Sequence, residues 1–397
     1  MSQRVPYPPN KGEKLRTYHQ MEHLLAKGHK VSVCTPAHNH EDEQSISSLH
    51  SATNVSTTFE RMGRALPRLI KGLFTFKALS VSNFYSPGLQ AKLEQLIKQE
   101  NFDVILCTSS SMAEYIFKSN EIQLQLSSNQ SIMLLMDFMD LDSDKWKQYS
   151  TSSSWPMKWV YSREARLLSQ LEQKIQKTFA HCFFISRNEV DLFQASTGSA
   201  QNVHVLGNGI DNKSFYPAKK KLENTDPVFI FTGVMDYKPN VDAVLWFAQH
   251  AWEKIRKKYP QARFIIAGMN PSQPVKNLEH TSGIEVTGFV DNILPYYHQS
   301  DYFVAPFTIA RGVQNKILQA FACGLPVIAS SMGAEGIECI DGEHIIIAET
   351  TDEYLQAIDR LESEPLLKTA IKDAALKLIH DHYSWNGKLK VLDSFLA

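Results

Sequence analysis

Short apolar runs rich in β-branched and aromatic residues alternate along this chain with longer stretches of helical periodicity. Turn residues such as Gly, Pro, Ser and Asp separate the two kinds of stretch, which is typical of parallel sheets covered by helices on both faces. Because open α/β sheets bind ligands beyond the carboxyl ends of their strands, function is expected at the turns that follow the runs. Eight runs are predicted as strands: 31–34, 104–107, 132–136, 182–185, 228–231, 264–267, 302–305 and 327–329.

The length of 397 residues exceeds the usual size of one hydrophobic core, so two domains are expected. The clearest boundary follows residue 206, where Gly207-Asn208-Gly209 leads into a loop with two prolines and a run of three lysines. A linker there separates residues 1–206 from residues 207–383, two halves of nearly equal size. A final helix is predicted over residues 384–397.

Composition and charge exclude several classes of protein. The formal net charge is −1, so the chain has no overall basic field that would favour nucleic acid. No window reaches the ~18 apolar residues of a membrane-spanning helix, and the first residues lack the apolar core of a signal peptide. The five cysteines are scattered without metal or disulfide spacing, which indicates thiols in a reducing compartment. A cytoplasmic protein is expected.

The beginning of the chain is unusual for this architecture. The loop of residues 6–12, Pro-Tyr-Pro-Pro-Asn-Lys-Gly, is of the kind that follows a strand, yet only five residues precede it and they are not an apolar run. Either the first domain lacks its first strand or the chain is shortened at its start.

The segment of residues 302–326 carries the strongest chemical signal. It is predicted as a strand, a Gly-bearing turn, a helix of about three turns, a Gly stop and a Pro. The free N–H groups at the start of this helix and the positive end of its dipole favour binding of a diphosphate. Lys316 in the first turn adds a full positive charge. Gln319, one turn later, can hydrogen-bond ribose hydroxyls. The alternative is an ordinary strand–helix–strand unit whose glycine only shortens a turn. The residues at the helix start are Arg311, Gly312, Val313, Gln314 and Asn315.

This segment resembles the donor-site helix of the glycosyltransferase family 4 enzymes. Those enzymes carry two glutamates separated by seven residues, where this chain has Arg311 and Gln319. A narrower resemblance, to the sugar transferases associated with exosortase and PEP-CTERM exopolysaccharide loci, extends over nearly the whole chain. An arginine at 311 is normal for that branch, whereas Gln319 departs from its usual glutamate. Its matching stretches are residues 4–14, 137–146, 208–211 and 232–242.

The resemblance implies an α/β fold of two Rossmann-like domains facing a cleft, the GT-B type, with the first amino-terminal strand missing. Residues 1–206 would then bind the acceptor, residues 207–383 would bind a nucleoside-diphosphate sugar, and the final helix would pack back on the first domain. Family members retain anomeric configuration and need no metal or other cofactor. The donor phosphate can accept the proton of the incoming hydroxyl group.

The resemblance and the chemistry together predict the site residues. Lys238 is predicted to act on the leaving phosphate, although it could instead be a solvated lysine in a turn. Residues 288–290 are expected to contact the nucleotide base, although they could instead form a plain turn. The predicted catalytic residues are Lys238, Arg311 and Lys316. The predicted donor-binding residues are Gly12, Gly233, Gly288, Phe289, Val290, Gly312, Val313, Gln314, Asn315 and Gln319.

On the acceptor side, the predicted residues are His19, Asp140 and Asp142. His19 also has a structural interpretation. Aspartates two apart, as in residues 137–144, invite a metal site, but chance spacing and helix capping explain them too, and no metal is predicted.

Basic and apolar residues interleave between residues 61 and 79. Arg61, Arg64, Arg68 and Lys71 recur at steps of three and four, a pattern that suits a helix on an anionic membrane surface at the inner face of the cell membrane. The helix is predicted to begin at Pro67. The alternative is a helix packed on the core of its own domain.

The chain is therefore predicted to be a retaining glycosyltransferase that adds a sugar to a lipid-linked or oligosaccharide acceptor in exopolysaccharide biosynthesis. A non-catalytic nucleotide-sugar-binding protein is the first alternative, because Gln319 and the absent strand could both mark decay of the site. A two-domain solute-binding protein is the second, although it would normally carry an export signal.

Overall fold

The computed structural model divides into two compact units, Met1–Asn208 with Leu389–Ala397, and Gly209–Lys388, called here the amino-terminal and carboxy-terminal units. The division falls two residues after the boundary predicted from the sequence. The side chain of Lys71 lies outside the described part. The structure describes residues 1–10, 12–75, 77–127, 132–151, 153–199, 201–219, 226–309 and 313–396.

The amino-terminal unit alternates strands and helices along the chain. Its strands are β1 Ser32–Ala37, β2 Ser56–Arg61, β3 Val104–Thr108, β4 Met133–Met139, β5 His181–Phe184 and β6 Val203–Val205. Its helices are α1 Gly12–Ala26, α2 His40–Thr53, α3 Ala65–Phe74, α4 Leu79–Phe84, α5 Pro87–Gln99, α6 Ala113–Lys118, α7 Asn120–Ser127, α8 Asp142–Thr151, α9 Met157–Thr178 and α10 Arg187–Thr197, with a 3₁₀ turn at Ser110–Met112. β1 and β2 pair in parallel, and β3, β4, β5 and β6 form a parallel sheet in that order.

Met1 and Ser2 lie between these two sheets and hydrogen-bond to both. The Ser2 N–H donates to the carbonyl of Cys34 in β1 at 3.0 Å, and the Thr108 N–H of β3 donates to the Met1 carbonyl at 2.9 Å. The Met1 amine donates to the Leu106 carbonyl at 2.8 Å. The first residues therefore make the ladder bonds at the place where sequence analysis expected a strand to be missing.

A buried ion pair joins α1 to the sheet of the amino-terminal unit. Arg16 of α1 and Asp137 of β4 have side chains only 1% and 0% exposed. The Arg16 Nε donates to Asp137 Oδ2 at 2.6 Å and its Nη2 donates to Oδ1 at 2.9 Å. The same guanidinium donates to the Leu206 carbonyl at 2.6 Å and to Asn208 Oδ1 at 2.8 Å. One side chain thus holds α1, β4 and the last residues of the unit together.

The last helix, α19 Trp385–Leu396, returns to the amino-terminal unit through its residues from 389 onward. Asp393 accepts from Lys27 at 2.7 Å and lies 2.7 Å from the buried His23 Nε2. Phe395 packs against the rings of His181 and His204, with centroids 4.3 and 4.5 Å apart. The contacts combine an ion pair on α1 with an aromatic cluster on β5 and β6.

The carboxy-terminal unit is built on one six-stranded parallel sheet in the order β12-β11-β10-β7-β8-β9. Its strands are β7 Val228–Thr232, β8 Arg263–Ala267, β9 Ile284–Gly288, β10 Tyr302–Ala305, β11 Val327–Ala329 and β12 Ile346–Ile347. Its helices are α11 Lys238–Trp246, α12 Trp252–Lys258, α13 Gln273–Lys276, α14 Leu294–Gln299, α15 Asn315–Ala322, α16 Ser331–Ala334, α17 Thr351–Ser363 and α18 Pro365–Leu378. A 3₁₀ turn covers Asn277–His280, and π-helical turns cover Phe247–Ala251 and Ile379–Tyr383.

Buried aromatic side chains fill the space between this sheet and its helices. Phe229 stacks on Tyr302 across β7 and β10 at 5.5 Å, and Phe247 contacts Phe264 at 4.9 Å. Central strands read as continuous apolar runs because helices cover both faces, so the sequence pattern and the sheet agree. The predicted parallel α/β architecture is confirmed, with the four strands β2, β6, β9 and β12 added to the eight predicted ones.

The predicted membrane-surface helix is not one helix. Arg61 is the last residue of β2, and Arg64 precedes α3, which begins at Ala65, two residues before the predicted start at Pro67. A proline is tolerated in the first turn of a helix because the N–H that it lacks would have no partner there. Within the described residues, no helix combines the length and apolar character needed to cross a bilayer.

The Arg16–Asp137 pair gives a prediction for stability. Removing one partner leaves the other charge buried and uncompensated, so Asp137→Ala should lower the free energy of unfolding by about 3–5 kcal/mol. Urea unfolding followed by circular dichroism measures this change. Arg187→Ala is the matched control, because its pair with Asp191 is exposed and should contribute less than about 1 kcal/mol. Equal effects of the two substitutions would contradict the structural role of the buried pair.

Candidate functional site

Two glycines follow neighbouring strands at the carboxyl edge of the carboxy-terminal sheet. Gly233 follows β7 and Gly268 follows β8, and the Gly233 N–H donates to the Ala267 carbonyl at 3.1 Å. A Cβ on Gly268 would lie only 1.6 Å from the Gly233 carbonyl oxygen. The two backbones can approach this closely only without a side chain at 268. The edge at this point is therefore formed by closely packed backbone.

Lys316 projects to this edge from the first turn of α15. Its amine donates to Asn240 Oδ1 and lies 5.0 and 4.8 Å from the ring centroids of Phe231 and Phe307. Burial lowers the pKa of the Lys316 amine to about 8, because an apolar setting disfavours the charged form. Among the described residues no carboxylate forms an ion pair with it.

Asn240 of α11 is the residue that positions this amine. The side chain is 4% exposed, and its Nδ2 donates to the Val234 carbonyl at 2.9 Å, which leaves Oδ1 for Lys316. A Cβ on Gly233 would lie 2.7 Å from Asn240 Nδ2 and 3.3 Å from Lys316 Nζ. These three residues, the Lys316 cluster, converge from β7, α11 and α15. Sequence reasoning did not assign a role to Asn240, although Lys-Pro-Asn lies in a stretch that carried the resemblance.

Gln319 lies one turn after Lys316 on α15 and is partly buried. Its Oε1 accepts from the hydroxyl of Tyr297 at 3.3 Å, and that hydroxyl also lies 2.8 Å from Thr232 Oγ1. The amide oxygen is thus engaged within the protein. The predicted contact of Gln319 with a ribose stays a prediction.

Lys238, the first residue of α11, is exposed and belongs to an ion pair within its own helix. Its Nζ lies 2.7 Å from Asp242 Oδ2, one turn later, and the side chain is 76% exposed. A surface pair of this kind is weak and is readily exchanged for another anion. The structure places Lys238 at the carboxyl edge, where it pairs with Asp242 rather than with a residue of the Lys316 cluster.

The remaining predicted donor residues lie in loops at the same edge. Gly288 ends β9 with a φ of +65°, and its carbonyl accepts from the Gly268 N–H at 3.2 Å. Phe289 follows with its side chain 67% exposed, a surface that an aromatic base could cover. Val290 is partly buried.

The start of α15 contributes the other predicted donor residues. Val313 is 43% exposed, Gln314 is the N-cap residue and Asn315 is exposed. The helix runs over Asn315–Ala322, just over two turns rather than the predicted three. Arg311 and Gly312 lie outside the described residues.

The acceptor-side residues lie at the carboxyl edge of β4. Asp140 follows β4, and Asp142 is the first residue of α8. Burial raises the pKa of Asp142 to about 6. The charge of Lys145 opposes this rise, and the charges of Asp140 and Glu13 add to it. The charge of Glu13 acts on Asp142 because the start of α1 faces this edge. Gly12 precedes Glu13, and no described atom lies within 4 Å of the Cβ that it lacks.

His19 lies further along α1. It is 8% exposed, its Nδ1 is 3.2 Å from Glu22 Oε2, and its ring meets Tyr18 edge-on. These contacts fit a structural role as well as an acceptor role. Among the described residues, no group of three or more His, Cys, Asp or Glu side chains is arranged to hold a metal ion. Asp137, the first of the aspartates considered for a metal, is bound by Arg16 instead.

Comparison with known proteins agrees with this architecture. Residues 226–364, most of the carboxy-terminal unit, match the family model described as Glycosyl transferases group 1. The Anabaena protein HepE, solved in complex with UDP, superposes with a TM-score of 0.59 over 100% of this chain and 98% of that chain, at 14% identity. The chain thus has the GT-B glycosyltransferase fold, as predicted from the sequence.

Two curated proteins are similar along most of the chain. One is an uncharacterized 44.6 kDa protein in the cps region of Klebsiella pneumoniae, 22% identical over 89% of this chain and 87% of that protein. The other is a phosphatidyl-myo-inositol mannosyltransferase of Propionibacterium freudenreichii subsp. shermanii, 23% identical over 78% of this chain and 71% of that protein. Both similarities therefore extend beyond residues 226–364, the part of the chain that the family model matches.

The lowered pKa of Lys316 gives anion binding at this cluster a pH dependence. In the free protein the amine loses its proton around pH 8. A bound diphosphate favours the charged amine and raises its pKa, so the affinity for UDP should fall above pH 8, by up to about tenfold per pH unit. Calorimetric titration of UDP between roughly pH 7 and 9.5 measures this slope. The Lys316→Arg variant stays charged and should bind with a flat profile. A flat profile in the native protein would contradict the predicted titration of Lys316 at the anion site.

Proposed function

We propose that this chain is a retaining glycosyltransferase of family 4 that transfers one sugar from a nucleoside-diphosphate sugar to a lipid-linked or oligosaccharide acceptor in exopolysaccharide biosynthesis. The observation that carries the proposal is the Lys316 cluster. It presents a desolvated ammonium group, without a carboxylate partner among the described residues, at the first turn of a helix and the carboxyl edge of the sheet.

This arrangement suits the departure of a nucleoside diphosphate. Negative charge develops on the leaving phosphate as the sugar bond breaks, and a preorganised cation in an apolar setting stabilises it strongly. The N–H groups at the start of α15 add the positive end of the helix dipole. Lys238 can join by exchanging its pair with Asp242, and Arg311 is proposed as a further cation. With charge supplied by side chains, we propose that the reaction needs no metal.

The similar proteins described above support the proposed donor, acceptor and biosynthetic role. Structures of HepE hold UDP in one case and UDP-glucose in another, so the probe nucleotide is chosen as UDP. The name of the similar mannosyltransferase contains a lipid, phosphatidyl-myo-inositol. The similar Klebsiella protein is described as a protein in the cps region. These names fit a lipid-linked acceptor and a role in surface polysaccharide assembly.

A non-catalytic nucleotide-sugar-binding protein is the second candidate, and one observation favours it. Gln319 takes the position of the family's second glutamate, and its Oε1 is engaged by Tyr297. Without a carboxylate, the ribose contact loses the strength of a charge-assisted bond, about 1 kcal/mol. The donor would still bind, held by the Lys316 cluster.

We also propose that the protein associates with the inner face of the cell membrane through the amino-terminal unit. The apolar residues Leu66, Ile70, Leu73 and Phe74 recur along α3 at helical spacing with exposures of 67, 46, 40 and 87%. Arg163 of α9 donates to the Gly72 carbonyl at 2.9 Å, which sets α9 beside the end of α3. Trp155 and Trp159, 83 and 56% exposed, extend the apolar surface from the start of α9.

Donor binding is tested by thermal shift with uridine, guanosine and adenosine diphosphate sugars. One of them should stabilise the native protein, and Lys316→Ala should bind it roughly tenfold to hundredfold more weakly because a charge-assisted bond is lost. Lys254→Ala is the matched control, since Lys254 is exposed in the same unit and pairs with Asp352. Equal shifts in melting temperature for the native protein and Lys316→Ala would show that Lys316 does not contribute to a diphosphate site.

Turnover separates the two candidate functions. With acceptor extract present, the enzyme should release nucleoside diphosphate, and Gln319→Glu should increase the rate by restoring a carboxylate for the ribose. Binding without release in both proteins would favour the non-catalytic candidate.

Membrane association is tested by co-sedimentation with vesicles of phosphatidylcholine, with or without phosphatidylglycerol. The native protein should sediment with the anionic vesicles, and Phe74→Ser should weaken this about tenfold because one large apolar side chain is lost from the surface. Leu366→Ser is the control, since Leu366 is also 87% exposed but lies in the carboxy-terminal unit. Equal sedimentation of all three proteins would contradict a role for α3.

A further inference from the structure

A second site is formed entirely within the amino-terminal unit. A cavity of about 490 Å³ lies beyond the carboxyl ends of β1 and β2, where a parallel sheet binds ligands. No acidic side chain is among the described residues that line it. Its basic lining residues, called here the arginine pocket, are Arg4, His38, Arg61, Arg64 and Arg68.

Consecutive loops bring these residues together. His38 directly follows β1, Arg61 ends β2, and Arg64 lies just before the start of α3. The guanidinium group of Arg68, a residue of α3, is held in place by two hydrogen bonds. Its Nε donates to the Asn83 carbonyl at 3.1 Å, and its Nη1 donates to the Gly63 carbonyl. The pocket therefore has at least one guanidinium group fixed in place before any ligand binds.

The positive charge of the arginine pocket is only partly compensated. Arg4 pairs with Glu13, and Arg61 lies 3.7 Å from Glu43. Arg64 and Arg68 form no ion pair with a carboxylate among the described residues, and the hydrogen bonds of Arg68 go to neutral carbonyls. Four guanidinium groups around one cavity repel each other, and an anion in the cavity would relieve this repulsion.

His38 adds a polar atom that lacks a partner. Its ring packs edge-on against Phe84 at 5.3 Å, and its Nε2 is buried without a hydrogen-bond partner among the described residues. Burial lowers the pKa of His38, opposed by a hydrogen bond to the Gln3 backbone. An anion nearby favours the protonated ring, which donates from both nitrogens, so a bound oxygen would satisfy Nε2.

Among anions, phosphate best fits the guanidinium groups of the arginine pocket. Guanidinium groups bind phosphate oxygens in a planar, two-pronged geometry that lysine cannot reproduce. The cavity volume of about 490 Å³ is large enough for more than one phosphate group, and the exposed apolar face of α3, with Leu66, Ile70 and Phe74, begins beside the lining residue Ala65. Phosphate beside an apolar surface is the chemistry of an amphiphilic molecule.

We propose that the arginine pocket binds the phosphate or diphosphate group that an anionic acceptor carries. This inference rests on the proposed glycosyltransferase function and adds a class of acceptor: one that is phosphorylated next to the sugar to be extended. The pocket is distinct from the Lys316 cluster, which belongs to the carboxy-terminal unit.

Calorimetry with inorganic pyrophosphate tests the pocket. The native protein should bind two pyrophosphates, Arg64→Ala and Lys316→Ala should each keep one site of native affinity, and the double variant should keep neither at native affinity. Arg64 is exposed, so its removal should leave the fold intact, and circular dichroism verifies this. Arg64→Ala should weaken the pocket site about tenfold or more, and Arg64→Lys less than that. Arg166→Ala, which removes an exposed arginine from α9 of the same unit, should keep both sites.

Failure of the pocket and failure of the donor site give different results. If Arg64→Ala still binds two pyrophosphates with native affinity, the arginine pocket is not a phosphate site and the proposal is overturned. If Lys316→Ala still binds two, only the donor assignment fails.

Vesicles identify the source of the phosphate. If it is a lipid phosphate, pyrophosphate should release the native protein from phosphatidylglycerol vesicles, and Arg64→Ala should bind these vesicles more weakly than Arg166→Ala does. If native protein and Arg64→Ala sediment equally while only the former binds pyrophosphate in the pocket, the pocket takes a soluble phosphorylated acceptor. No difference between them in either assay overturns the proposal.

Discussion

The buried pair of Arg16 and Asp137 is the interaction on which the amino-terminal unit depends. Taking two charges out of water is costly, and it is tolerated here because the guanidinium and the carboxylate satisfy each other with two hydrogen bonds. Gln20 donates to the same carboxylate, and Arg16 also binds the chain at Leu206 and Asn208. The pair thereby fixes how α1 crosses the end of β4, and with it the position of Gly12 and Glu13 opposite Asp142.

Much of the fold could be predicted from the sequence because central parallel strands are continuous apolar runs. The strands at 228–231 and 302–305 are of this kind. β2, with Ser, Thr, Glu and Arg among its six residues, gives no such signal and forms through its pairing with β1. The helix start at Ala65 was missed because a proline marks the first turn of a helix without fixing which position of that turn it occupies.

The candidate site was less predictable than the fold. Lys316 could be proposed from the sequence because its position at a helix start is a local feature, and its role at a donor site stays a prediction. Asn240 was missed because its importance depends on meeting Lys316 from 76 residues away in the chain. Arg16 gave no signal, since an arginine in an amphipathic helix normally faces solvent. Arg61 and Arg64 were recognised as basic, but a helical spacing placed them on one helix face, whereas a strand and a loop direct them to a cavity.

The partners of a cation decide whether its charge remains available to a ligand. Arg16 has a carboxylate partner, so its charge is compensated within the fold. Lys316 has an amide and two aromatic rings, and Arg64 and Arg68 have carbonyls or solvent, so their charge stays available. Burial lowers the pKa of Lys316 to about 8, and an anion beside it would favour the charged form. A chain with a net charge of only −1 thus concentrates uncompensated positive charge at two sheet edges, where phosphate groups of a donor and an acceptor would be bound.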